Sequence, residues 1–213
     1  MAKLIGLFGE SGAGKTTSLR GLDPKTTFIV DADKKGLSWK GWREQYSPEK
    51  MNYWKCDDNV MILEGLKKLN AARPDLKVIV IDTINGIMIA DEMKRSKEKG
   101  YDKWIDLATA VYDIIDTALM MRDDLTVVFV AHAQTVLEDT GYMFTRMKTS
   151  GKKLDKIVLE SKFPTVLLAK AVAGNYVFET HANNSTAKTP LGAFDTDTIP
   201  NDLAAVIKVL EEY

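Results

Sequence analysis

Residues 9–16 read GESGAGKT, which satisfies the spacing GxxxxGK[ST], a glycine-rich loop able to curl its backbone N–H groups around phosphate oxygens. Gly9, Gly12 and Gly14 permit the curl, with Glu10, Ser11 and Ala13 completing it. Lys15 would reach the β- and γ-phosphates, Thr16 would ligate Mg²⁺ through its hydroxyl, and Thr17, in the helix expected to follow, would be a further nucleotide-binding residue. The chemistry is binding of a nucleoside triphosphate, ATP with Mg²⁺. Further along, VIVID ends on Asp82, a carboxylate suited to Mg²⁺, with Thr83 and Asn85 beside it. TFIVDAD ends on Asp31 and Asp33, either of which can activate a water or merely cap the Lys34-Lys35-Gly36 turn. VVFVAH ends on His132, placed to sense a terminal phosphate.

The elements around these residues must bring them to one edge. Residues 3–8 form an apolar run with Gly9 directly behind it, a buried strand feeding a tight turn, and 16–20 should be helical. Residues 26–30, 77–81 and 125–131 read as further buried strands, and 59–72 and 101–122 as amphipathic helices. Ile62, Leu63, Leu66 and Leu69 line one helix face; Trp104, Ala108, Val111, Ile115, Ala118 and Leu119 line the other. Short apolar strands alternating with amphipathic helices specify an α/β fold with a mainly parallel sheet flanked by helices. After His132 the rhythm changes. Residues 135–137, 142–147, 165–172 and 176–180 read as strands of antiparallel hairpins, and a last helix starts at Asn201 or Asp202. The expected division is a nucleotide-binding core over 1–132, hairpins and loops over 133–200 and a C-terminal helix over 201–213, all within one domain.

Composition narrows the partners. The 213 residues carry 29 basic and 30 acidic side chains, so nucleic-acid binding requires a local patch. Such a patch lies in 142–162, where Arg146, Lys148, Lys152, Lys153, Lys156 and Lys162 face only Asp155 and Glu160, with Tyr142 and Phe144 as stacking surfaces. A solvated basic loop has the same composition. Trp39 and Trp42 suit core packing or base stacking. The single cysteine, Cys56, excludes an intramolecular disulfide and fits a reducing cytoplasm; neither it nor His181 has partners at ligand spacing. No apolar run reaches membrane-spanning length.

FIVDAD at 28–33, the strand ending at Asp82 and VVFVAH at 127–132 resemble, in order and spacing, the ATPase core of RecA-like recombinases. Gly36-Leu37-Ser38-Trp39, AKTPLG at 187–192 and IPNDL at 199–203 extend the resemblance over nearly the whole chain to small phage-encoded RecA-like ATPases that anneal single strands. The resemblance implies a P-loop NTPase of RecA-like type. Asp33 would activate water, with Asp where Glu is usual; His132 stands where RecA proteins carry a coupling glutamine; Lys188 would reach across to a neighbour's γ-phosphate. Residues 133–153 would be DNA-facing loops. It also implies single-stranded DNA as a partner, a homo-oligomer with nucleotide at subunit interfaces, a single-strand-binding protein as a further partner, and residence in the host cytoplasm. Two other readings use the same loop. A nucleotide or small-molecule kinase needs a lid rich in arginine, whereas arginine here occurs only at 20, 43, 73, 95, 122 and 146; an ATP-gated interaction module would show little turnover.

Overall fold

The computed structural model describes residues 1–100, 102–137, 141–149 and 158–213. The chain runs β1 (Lys3–Gly9), a 3₁₀ turn (Thr17–Gly21), β2 (Thr27–Asp31), α1 (Trp42–Gln45), β3 (Tyr53–Lys55), α2 (Asn59–Ala72), β4 (Val78–Asp82) and α3 (Ile84–Lys94). It continues through α4 (Asp102–Leu119), β5 (Thr126–Leu137), β6 (Met143–Met147), β7 (Thr165–Val172), β8 (Asn175–Glu179), β9 (Thr198–Pro200) and α5 (Leu203–Leu210). The strands form one sheet in the order β3-β2-β4-β5-β1-β7-β8-β9, with β6 paired to β5. The pairings from β3 across to β7 are parallel, and β8 and β9 close the edge antiparallel. The fold is α/β, a mainly parallel sheet flanked by helices with antiparallel strands at the end.

Alternation along the buried strands divides the core in two. Leu4 and Phe8 of β1, Ile79 and Ile81 of β4 and Val127, Phe129 and Ala131 of β5 face the cluster that includes α2, α3 and α4. Ile5 and Leu7, Val78 and Val80, and Val128 and Val130 face the cluster that includes Leu19, Tyr46 and α5. That second parity is also the parity of Gly9, Asp31, Asp82 and His132. The pairing register sets Gly9 opposite His132 and Asp31 opposite Asp82.

The short α1, β3 and β9 were not expected, and several longer elements differ from expectation. The segment after the glycine-rich loop is a short 3₁₀ turn, because Gly21 and Pro24 follow too soon for an α-helix to propagate. α3 was not expected, since its sequence INGIMIADEMK is apolar nearly all round; it buries Ile84, Ile87 and Met88 while exposing Ile89 and Met93. β5 does not end at His132. It continues to Leu137, because Ala133 to Leu137 pair with β6 once the strand leaves the sheet, and the two segments expected separately are one strand. β7 forms the expected antiparallel hairpin with β8 and also pairs parallel with β1 from Thr165 to Ala169, a stretch buried on both faces, so the parallel core draws on a strand well past residue 132. Trp39 and Trp42 pack against the second cluster, beside Tyr46 and Tyr53 respectively. Among the described residues, no helix is long and apolar enough to cross a membrane.

Phe129 is fully buried at the centre of β5, with its ring 5.5 Å from that of Phe163 in an edge-on arrangement. Phe129→Ala is expected to cost about 3–5 kcal/mol of unfolding free energy, measured by denaturant titration. A loss within experimental error would show that this layer of the core can collapse around the gap.

Candidate nucleotide-binding site

β1 delivers the glycine-rich loop to the C-terminal edge of the parallel strands, where an open α/β sheet accommodates ligands. Gly12 and Gly14 have φ of 82° and 86°, conformations that side chains resist. Gly14 carries a second constraint: a Cβ there would lie 2.9 Å from the Tyr176 ring. Lys15 is buried and curls back so that its ammonium donates to the carbonyls of Gly9 at 2.8 Å and Glu10 at 2.7 Å. Burial lowers its pKa to about 8, against the raising field of Asp82 and with help from the like charge of Lys35.

Asp82 is 1% exposed. Its Oδ2 accepts a hydrogen bond from the Thr16 hydroxyl at 2.7 Å, whereas Oδ1 is buried with no hydrogen-bond partner. Burial pushes this carboxyl above the usual carboxylate range, while Lys35 and Thr16 pull it back. The Thr16 hydroxyl and the Asp82 carboxylate, one of whose buried oxygens is unsatisfied, form a hard-oxygen donor set that fits Mg²⁺, which takes one or two protein ligands and completes its shell with phosphate oxygens and water. Among the described residues no cluster of three His, Cys, Asp or Glu side chains suggests a different metal. Bound Mg²⁺ would neutralise charge on the phosphates, with Thr16 and Asp82 as its protein ligands.

The two aspartates after β2 separate. Asp31 is spent on structure: Oδ2 accepts from the Gly36 N–H at 2.7 Å and from the Tyr53 hydroxyl, closing the turn over 31–36. Asp33 faces the other way. Its Oδ1 accepts from Thr83 Oγ1 at 2.9 Å and its Oδ2 pairs with the Lys35 ammonium. Thr83 is also the N-cap of α3, and Gly86 lets that helix start against the Ala32 backbone and the Asp33 carboxylate.

A cleft of about 850 Å³ opens over the loop. Ser11, Gly12, Gly14, Lys15, Thr16, Thr17 and His132 line it, as expected for six loop residues and the strand-borne histidine. Asp33 does not line the cleft, because Lys35 stands there instead. The remaining wall comes from residues that sequence reasoning did not single out for the site: Arg20, Ser38, Tyr176 and Asn201 among them. The IPNDL segment contained Asn201, and nothing local marked Tyr176. Arg20 donates to the Asn201 carbonyl at 3.2 Å and Thr17 Oγ1 lies 3.0 Å from Ser38 Oγ, so the walls are tied to the loop.

His132 has its backbone held on both sides. Its N–H donates to Asn85 Oδ1 at 2.7 Å, its carbonyl accepts from Lys148 N at 2.7 Å, and Asn85 Nδ2 donates to the Lys148 carbonyl at 2.8 Å. Burial, reinforced by Lys15, keeps its imidazole below the usual histidine pKa and therefore neutral near pH 7, despite Asp33. Of the expected DNA contacts, Arg146 lies on β6 opposite Gln134 and Lys148 follows it; Lys152 and Lys153 lie outside the described residues. Lys188 is exposed, and its backbone pairs with Val166, which sits beside Gly6, so it lies away from its own chain's loop.

A glycine-rich loop on the central strand, a lysine inside it and a threonine bonded to a strand-end aspartate define a P-loop nucleotide-binding ATPase. A family model described as an AAA domain matches residues 2–190, and the chain belongs to that family. None of the curated proteins matches it.

A Cβ on residue 86 would lie 2.6 Å from Asp33 Oδ1 and 2.7 Å from the Ala32 carbonyl. Gly86→Ala is therefore expected to displace Asp33 and lower kcat about tenfold or more, with nucleotide affinity retained. Steady-state kinetics alongside equilibrium nucleotide binding would test this; an unchanged kcat would remove Asp33 from the reaction.

Proposed function

We propose that this protein is a RecA-like ATPase that binds single-stranded DNA and promotes annealing or strand pairing in phage recombination, with ATP and Mg²⁺ at the P-loop. The observation that carries the coupling is the continuity of β5, which holds His132 in the nucleotide cleft and then leaves the sheet to pair with β6. Opposed residues of an antiparallel pair share a face, so the face of His132 continues through Gln134 and Val136 with their partners Arg146 and Phe144. A cation beside an aromatic ring is a suitable surface for unpaired bases and their phosphates. The Asn85 carboxamide, bonded to His132 at one end and Lys148 at the other, ties the base of this ribbon to the start of α3.

In the hydrolytic role, Lys15 and Thr16 hold the phosphates, Asp82 serves Mg²⁺, Asp33 takes the proton of the attacking water, and neutral His132 reports on the γ-phosphate. Lys188, exposed and distant from its own loop, suits a trans contact in a homo-oligomer with nucleotide at the interfaces. A single-strand-binding protein would be a further partner, in the cytoplasm of the host.

Single-stranded DNA is expected to raise ATP turnover or ATP to tighten DNA binding, and Lys15→Ala is expected to abolish both effects. Phe144→Ala should weaken DNA binding by about 1–3 kcal/mol, the worth of one stacked base. The reading fails if neither nucleotide nor DNA responds to the other, and phosphate transfer from ATP to a nucleoside or nucleotide would replace it with a kinase. Mixing Lys15→Ala with Lys188→Ala protein should restore turnover, because one kind of interface then has both lysines; no recovery removes the trans role.

A further inference from the structure

Lys35 lies outside the glycine-rich loop, yet it stands in the nucleotide cleft. The turn after β2 puts it there. Lys34, at φ 57°, and Gly36, at φ 84°, both adopt left-handed backbone, and the buried Asp31 carboxylate holds the Gly36 N–H. The two neighbouring lysines are thereby sent apart. Lys34 turns away to Asp57 at 2.7 Å, and Lys35 folds back over Asp33. The result is a layered arrangement in which Lys35 lines the cleft with Lys15, Thr16 and His132, and Asp33 lies behind it, its carboxylate only 16% exposed.

Both oxygens of Asp33 are thereby occupied, Oδ1 by the Thr83 hydroxyl and Oδ2 by the Lys35 ammonium. Each oxygen keeps a further lone pair, but the Lys35 ammonium stands between that carboxylate and the cleft, so an attacking water in the cleft reaches Asp33 only after the lysine leaves. Thr83 is fully buried and caps α3, whereas the Lys35 side chain is 47% exposed and its long stem can swing. The mobile donor is the lysine. Its charge also reaches His132, whose imidazole is held below the usual histidine range first by burial and then by Lys15. Burial works against its own charge, but Asp82, the hydrogen bond to Asp33 and Asp31 outweigh it, so Lys35 is a cation at physiological pH.

Resting on the P-loop ATPase reading, we propose that Lys35 is a second γ-phosphate ligand that holds Asp33 while the site is empty, and that its capture by the terminal phosphate frees Asp33 to serve the attacking water. In the step that follows, the water oxygen bonds to the γ-phosphorus and its proton passes to Asp33. The bond from that phosphorus to the bridging oxygen breaks, and its electron pair leaves with ADP. Phosphate binding and release of the proton acceptor are then one movement of one side chain.

The test compares the affinities of ATP and ADP, in the presence of Mg²⁺, for the full chain and its variants by titration calorimetry. Lys35→Met is expected to lose about tenfold or more in ATP affinity while binding ADP as the unaltered protein does, and Lys35→Arg to retain the preference for ATP. Unchanged ADP binding also shows that the variant is folded. Asp33→Asn should tighten ATP binding when Lys35 is present, since the phosphate no longer competes with a carboxylate for it, and should not do so in the Lys35→Met background. Equal losses for ATP and ADP, or no loss, overturn the γ-phosphate contact; equal tightening in both backgrounds overturns the hold on Asp33. If the unaltered protein binds neither nucleotide, the ATPase reading falls and this proposal with it.

Discussion

The carboxylate of Asp82 sits at the end of a strand pinned between β2 and β5, almost completely cut off from water. Burying such a group costs several kcal/mol unless partners compensate. The compensation dictates much of what surrounds it. The Thr16 hydroxyl bonds to one oxygen, which fixes where the glycine-rich loop must end; Lys15 and Lys35 supply positive charge nearby, and the second oxygen is left without a hydrogen bond. A position suited to a cation and the end of the glycine-rich loop therefore both follow from the same buried charge.

The sheet supplies the rigidity this arrangement needs. β1 is flanked by parallel partners on both sides, so the loop it launches has no freedom to drift relative to His132 on β5 or Ala169 on β7. Gly9 shows how tight the junction is, since a Cβ there would lie 2.6 Å from the Ala169 carbonyl. β5 then leaves the sheet without a break, and the Asn85 carboxamide braces the point of departure. Rigid connection of this kind is the physical form that communication between a nucleotide and a second ligand can take.

Much of this was legible in the chain itself. GESGAGKT specifies its own turn and its own ligand chemistry, and the apolar runs ending in Asp82 and His132 point to one edge of the sheet. Capping was local at Asp202, one of the two residues expected to start the last helix, which accepts backbone N–H groups there. The misses share one cause. α3 has no polar face to reveal its period, because it packs on one side and exposes Ile89 and Met93 on the other. β7 has the same composition whether it pairs with β8 alone or also with β1. Lys35 reads as one of two lysines in a turn, and only the packed turn shows that the pair diverges.

The sequence by itself determined that a triphosphate-binding loop follows the first strand, that buried strands alternate with helices, and that carboxylates end two of those strands while a histidine closes the apolar run of a third. These are short-range properties, set by glycine's backbone freedom, by hydrophobic period and by side-chain capping. Tertiary structure alone decided that Asp31 closes a turn while Asp33 bonds to Thr83 and Lys35, that Lys35 stands between Asp33 and the cleft, and that Arg20, Tyr176 and Asn201 complete the cleft. Those outcomes depend on which strands pair and in what register, a choice made by burial of the whole core between segments as far apart as β1 and β7, and no local pattern encodes it.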